Sequence, residues 1–194
     1  ITIFHGDCRK VLATLGPVDC VITDPPYRSL DIDVIRGTTT RLVGGGTAAG
    51  RKPSSANRLG AEDAWFETLS DEDVTGVLRL CQSLLVDEGA MYVFADVKTG
   101  LQLFPRFAQK NVLVWDKQKI GMGYSWRRMH EWIAYVPNAS HKLRSMAYGD
   151  IIRCDGEGNK LHPTEKPLGV ICPLIENSTD AGALILDPFA GSGS

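Results

Sequence analysis

Apolar residues in this chain fall into short runs separated by stretches of helical periodicity, the pattern of strands alternating with helices. Ile1–His5 (ITIFH) and Val18–Thr23 (VDCVIT) read as strands. Between them, Val11, Leu12 and Leu15 share one face of a short helix over Cys8–Leu15. Ser70 is placed as the N-cap of a helix reaching Leu85, with Asp73 at the capping-box position. Asp87-Glu88-Gly89 reads as a turn and Ala90–Ala95 (AMYVFA) as a buried strand. A helix from Thr99 to Gln109 is interrupted at Pro105. Asn111–Trp115 and Glu131–Val136 form an antiparallel or adjacent strand pair, and Leu168–Asn177 an apolar helix interrupted by Pro173. Ala183–Leu186 (ALIL) is the last strand. The alternation predicts an α/β sheet.

Two segments break the pattern. Arg28–Asp63 contains GTTT, GGG, AAG and KPSS and lacks aromatic residues, so it reads as a long flexible insert. Between Gly37 and Gly60 its charged residues are Arg41, Arg51, Lys52 and Arg58, all positive. Such an insert is either solvated or a basic arm against phosphate. Pro137–Leu161 is polar and irregular.

Composition narrows the class. A chain of 194 residues is most simply one domain with a core of its own, and 43% hydrophobic with 23% charged residues is ordinary for a globular protein. A formal charge of -2 argues against a small basic module held to nucleic acid by charge alone, while leaving room for local basic patches. Cys8, Cys20, Cys81, Cys154 and Cys172 contain no C-x-x-C, which disfavours a disulfide framework or zinc cluster and points to a reducing cytoplasm. His5, His130 and His141 show no ligand spacing, so no metal site is expected. No apolar run is long enough to span a bilayer and no secretory leader is visible, so no membrane association is expected.

Two constellations carry chemistry, each at the carboxyl end of an apolar strand, the edge where open α/β sheets bind ligands. The first is Asp24-Pro25-Pro26-Tyr27. Its proline pair forces a rigid extended turn that presents a carboxylate, a carbonyl and an aromatic ring together. An exocyclic amine on a flat base needs two acceptors and a stacking partner of that kind. The second is Asp187-Pro188-Phe189-Ala190-Gly191-Ser192-Gly193-Ser194. An acid at a strand tip beside a glycine loop suits a nucleoside-bearing cofactor, although alone it reads as a strand-to-helix turn. It is not a Walker loop.

The order strand–DPPY, then HPTEKP (His162–Pro167), then strand–DPFAGSGS resembles the amino-group DNA methyltransferases of the permuted β type. "FHGDCRKVLATL" leading to "VDCVITDPPY", and "LVWDKQKIGMGYSWRRMHEWIAY", are similar to further parts of that family. The resemblance implies a three-layer sandwich around a mostly parallel sheet with one antiparallel strand, a Rossmann-like methyltransferase fold. It is circularly permuted, and 1–194 would be a single S-adenosylmethionine-dependent domain. The implied activity is methyl transfer to the N6 amine of a flipped adenine in double-stranded DNA, in a bacterial or phage-infected cytoplasm. N4-cytosine methylation is the near alternative, RNA methylation a more distant one, and a non-catalytic DNA-binding remnant the rival.

The resemblance also implies roles for residues. Asp24 and the Pro25 carbonyl would accept the two amine hydrogens, Pro26 would hold the turn, and Tyr27 would stack on the base. Asp7, Asp187, Phe189, Gly191 and Gly193 would line the cofactor pocket, with Asp7 also a candidate helix cap. Thr164 and Lys166 would hold the cofactor carboxylate, with His162 orienting that turn. Lys117, Lys119, Arg127 and Arg128, around Tyr124 and Trp126, would contact DNA. Trp126 could equally pack in the core, and Arg128-x-His130-Glu131 could be a structural polar network. Residues 137–161 would be a short target-recognition region, sharing that task with the 28–63 insert. The family continues past its glycine loop with a helix, a strand and a ribose-binding acid, so the chain reads as truncated. That strand is expected either in an omitted tail, to be absent from a fragment, or to come from a neighbouring copy in a homodimer.

Overall fold

The computed structural model describes residues 1–26, 69–121, 126–155 and 165–191. The readings on Tyr27, the 28–63 insert with Arg41, Arg51, Lys52 and Arg58, Tyr124, His162, Thr164 and Gly193 lie outside the described residues.

Six strands form one sheet in the order β5-β3-β4-β2-β1-β6. They are β1 (Val18–Thr23), β2 (Leu85–Ala95), β3 (Asn111–Asp116), β4 (His130–Pro137), β5 (Ile151–Arg153) and β6 (Ile185–Leu186). β1 is parallel to β2 and β6, and β3 to β5, whereas β4 runs antiparallel to both its neighbours. One reversed strand in a parallel sheet is the expected topology.

Strand alternation divides the core into two layers. Val21, Met91, Val93, Ala95, Ala134 and Val136 face one way, with Leu12, Val74, Val77, Leu78, Leu103 and Phe104 packed on them. Those side chains belong to α1 (Cys8–Leu12), α2 (Asp71–Leu84), α3 (Val97–Leu103) and the 3₁₀ turn Phe104–Arg106. Cys20, Ile22, Tyr92, Phe94, Ile133 and Tyr135 face the other way, beneath Val170 and Leu174 of α4 (Leu168–Ser178). The result is the helix–sheet–helix sandwich anticipated above.

Several elements differ in detail. Ile1–His5 forms no strand; Ile3 and Phe4 stand exposed, and β6 pairs directly with β1. Asp87-Glu88-Gly89 is not a turn between elements but an excursion within β2. Val18 pairs with Leu85 and Cys20 with Ala90, so five positions on β2 advance against two on β1. Gly89 fits there because a Cβ would lie 3.0 Å from the carbonyl oxygens of both Asp19 and Val86. Asn138 Nδ2 donates to the Val86 carbonyl at 2.9 Å and His141 Nδ1 to that of Glu88 at 2.7 Å, tying the excursion down. The 137–161 segment, read as irregular, supplies β5, whose brevity and flanking polar residues hid it from the periodicity. α4 continues through Pro173, because burial of Val170 and Leu174 outweighs one missing amide donor.

The capping box at α2 is complete. Ser70 Oγ accepts from Asp73 N at 3.1 Å, and Asp73 Oδ2 accepts from Ser70 N at 3.3 Å. Ser70→Ala removes that partner and is expected to cost about 1 kcal/mol in urea unfolding; an unchanged midpoint would show that the cap contributes nothing to folding.

Candidate active site at the carboxyl edge of the sheet

Because β4 is reversed, its first residues lie at the same edge as the last residues of β1, β2, β3 and β6. That edge gathers Asp24 after β1, Asp96 after β2, Lys117 after β3, His130 and Glu131 opening β4, and Asp187 after β6.

Asp24 follows β1 directly, and the fully buried Pro25 and partly buried Pro26 prevent the strand from continuing. By strand alternation Asp24 points to the α4 side, as Cys20 and Ile22 do. There its Oδ2 is met by the Lys166 ammonium. The Lys166 side chain is only 10% exposed, lies 5.5 Å from the centroid of the Phe94 ring, and has Glu131 Oε2 3.6 Å away. The lysine expected to hold a cofactor carboxylate lies beside two carboxylates of its own chain. Glu131 also binds Lys117 at 2.5 Å, and Lys117 lies 4.9 Å from the Trp115 ring centroid.

Asp187 lies on the opposite side of the edge. Its Oδ1 accepts from the Thr23 hydroxyl at 2.6 Å and from Phe189 N at 2.9 Å. Burial pushes its carboxyl above the usual 3.8, and the nearby Asp24 charge adds to this; the Thr23 and Phe189 hydrogen bonds and Lys166 work against it. Gly191 has a φ of +54°, in the left-handed region that glycine adopts without strain. Asp7 caps α1, accepting from Arg9 N at 3.0 Å. The Arg9 guanidinium holds its carboxyl below the usual range and links it to Asp73 at 3.1 Å.

The hairpin between β3 and β4 continues past the sheet, with Lys117 N bonded to Met129 O at 2.8 Å and Gly121 N to Arg128 O at 3.0 Å. Trp126 stands on this extension 99% exposed, which rules out the core packing considered above. Arg128 pairs with the buried Asp96 at 2.7 Å, and Lys119 lies 3.9 Å from Asp155. Arg127 is exposed and has no acidic partner among the described residues. Clefts lined by Asp19, Arg144 and Asp180, and by Tyr92, Tyr135 and His141, open toward the other end of the sheet and hold none of these groups.

Glu131 and Asp96 are the residues at this edge that sequence reasoning did not select. Glu131 enters the sequence reading only within the Arg128-x-His130-Glu131 polar network, and Asp96 only as the residue that follows a strand. Only the reversal of β4 brings Glu131 to the lysine that contacts the DPPY carboxylate.

A mostly parallel α/β sheet with acids converging at adjacent strand ends defines an α/β protein whose working edge is the carboxyl one. Residues 137–194 match a family model described as "DNA methylase". Over 194 residues the chain is 31% identical to "Putative methylase YubD" of Escherichia coli (strain K12), covering 98% of this chain and 75% of that protein. It is 28% identical over 178 residues to the type II methyltransferase M.HhaII of Haemophilus parahaemolyticus, covering 87% and 71%. The fold is shared with the crystal structure of an M1.HpyAVI–SAM complex, at TM-score 0.61 and 18% identity over 98% of this chain and 82% of that one. The chain belongs to the DNA methylase family.

The raised Asp187 carboxyl carries a pH signature. For a group raised on folding, its contribution to stability is present below the unfolded value and lost as pH rises through the folded one. Asp187→Asn keeps the Oδ1 acceptor and removes the charge. Its melting temperature relative to the native chain is therefore expected to be higher at pH 7 than at pH 3.5, measured by calorimetry; a pH-independent difference would refute the assignment.

Proposed function

We propose that the chain is a DNA methyltransferase that modifies the N6 amine of adenine, with S-adenosylmethionine as donor. The observation that carries the reading is the Asp24 carboxylate at the tip of β1, followed by the buried Pro25 and faced by an ammonium only 10% exposed. M1.HpyAVI has been crystallised with SAM, and its shared fold supports the same cofactor here.

The residues of the Asp187 side fit such a group. A carboxylate with raised proton affinity, whose contacts from Thr23 and Phe189 both fall on Oδ1, favours a ligand rich in hydroxyl or ammonium donors. A Cβ at Gly191 would meet nothing nearer than the Phe189 carbonyl oxygen at 3.8 Å. When bound, S-adenosylmethionine supplies an electrophilic methyl on a sulfonium. Asp187, Phe189 and Gly191 would hold it on the side of β1 that Thr23 faces, and Asp24 would meet the target base on the other.

At that other side, the amine of an extruded base donates one hydrogen to the Asp24 carboxylate and the other to the Pro25 carbonyl. The nitrogen lone pair, otherwise conjugated into the ring, is thereby turned toward the methyl. Tyr27 follows in sequence as the stacking ring. No nucleophilic cysteine is required, and burial pushes the Cys20 and Cys81 thiols up to about 12, where they are inert. The projecting hairpin with Trp126 and Arg127 is the DNA-facing element of the described residues, the indole stacking and the guanidinium meeting phosphate.

Asp24→Ala is expected to lower methyl transfer to DNA by about 100- to 1,000-fold while leaving cofactor affinity unchanged in an equilibrium titration; retained turnover would sink the role given to Asp24. Nucleoside analysis of the product is expected to yield N6-methyladenine, and N4-methylcytosine instead would transfer the same mechanism to the other base. Arg127→Ala is expected to weaken binding evenly across DNA sequences and to reduce the slope of log K against log salt by about 1. An unchanged slope would place the DNA elsewhere.

A further inference from the structure

Four charged groups alternate in sign across the carboxyl edge: Lys117, Glu131, Lys166 and Asp24. They come from the end of β3, the start of β4, the segment before α4 and the end of β1. Asp24 has a part in the reading above, and Glu131 has none. Yet the Glu131 side chain is 12% exposed and bridges two ammonium groups, Lys117 at 2.5 Å and Lys166 at 3.6 Å.

A lysine ammonium on four rotatable bonds is a mobile point charge. Lys166 has several anions within reach: it contacts Asp24, approaches Glu131 and acts electrostatically on Asp187. A bound cofactor bearing a carboxylate would add a fourth. An ammonium drawn toward the Asp187 side would take away the charge contact on Asp24 Oδ2 and change the orientation in which that carboxylate meets the amine. Glu131 opposes this displacement. It is carried on a strand hydrogen-bonded on both sides, and Lys117, itself packed on Trp115, fixes its carboxylate.

We propose that Glu131 is a positioning residue for methyl transfer: anchored by Lys117, it holds the Lys166 ammonium against Asp24, so that this carboxylate meets the target amine in one orientation. The inference rests on the reading of Asp24 as amine acceptor. It separates two roles for Lys166. If the lysine served only the cofactor, disturbing Glu131 would alter cofactor affinity; as a brace for Asp24, it alters the transfer rate.

The test is a double-mutant cycle on the full chain with Glu131→Gln, Lys166→Met and the pair. Single-turnover methyl transfer is measured at saturating S-adenosylmethionine and DNA, beside cofactor titration and thermal melting. Glu131→Gln is expected to slow transfer about 10- to 100-fold, the scale of a reacting group misplaced by about 1 Å. Cofactor affinity should stay within about two-fold, and Glu131→Asp should recover part of the rate. In the Lys166→Met background, Glu131→Gln should have no further effect. An unchanged rate, a loss seen only in cofactor affinity, or losses that multiply in the double variant would each overturn the inference. Should Lys166→Met fail to fold, the cycle is run on Glu131→Gln with Lys117→Met, where the same non-additivity is expected. A native chain that transfers no methyl to DNA overturns the activity reading and the inference together; additive losses in an active chain overturn the inference alone.

Discussion

An ammonium withdrawn from water needs negative charge around it, and that requirement organises the edge of this sheet. Lys166 meets two carboxylates from segments distant in sequence, Asp24 just after β1 and Glu131 on β4. The ammonium lies between the two carboxylates and links them. The cluster joins the segment before α4 to the sheet, so the last helix is docked by charge at its start as well as by Val170 and Leu174 along its length.

The reversal of β4 makes that convergence geometrically available. In an all-parallel sheet the opening residues of each strand lie at the far edge, away from ligands. Turning one strand over brings His130 and Glu131 to the ligand edge and carries the β3–β4 hairpin beyond it. One topological choice thus supplies both an internal brace and a projecting arm. The two faces of β1 divide the labour further, since Thr23 points to Asp187 while Asp24 points to Lys166.

Much of this was legible in the chain. The α2 capping box, the strands ending in Asp24 and Asp187, and the β3–β4 pair all follow from periodicity and turn chemistry, and the order of the motifs indicated the family. What was not legible depended on contacts distant in sequence. β5 has three residues and no alternation to recognise. The excursion at residues 86–89 looks like an ordinary turn until the pairing of Val18 and Cys20 shows that the strand resumes beyond it. Lys166 carried a motif that suggested a cofactor, and only the folded chain puts Asp24 and Glu131 beside it. Trp126 has a composition suited equally to core and surface, so its exposure had to be seen.

The last strand has a further consequence. β6 is two residues long and pairs with β1 on one side, while Leu184 and Ile185 remain 61% and 42% exposed, as do Ile3 and Phe4 at 84% and 56%. A sheet margin that combines open backbone groups with apolar side chains is a template for adding another strand. Among the described residues, the β6 side, opposite β5 in the strand order, thus sets exposed apolar side chains next to the strand that delivers Asp187.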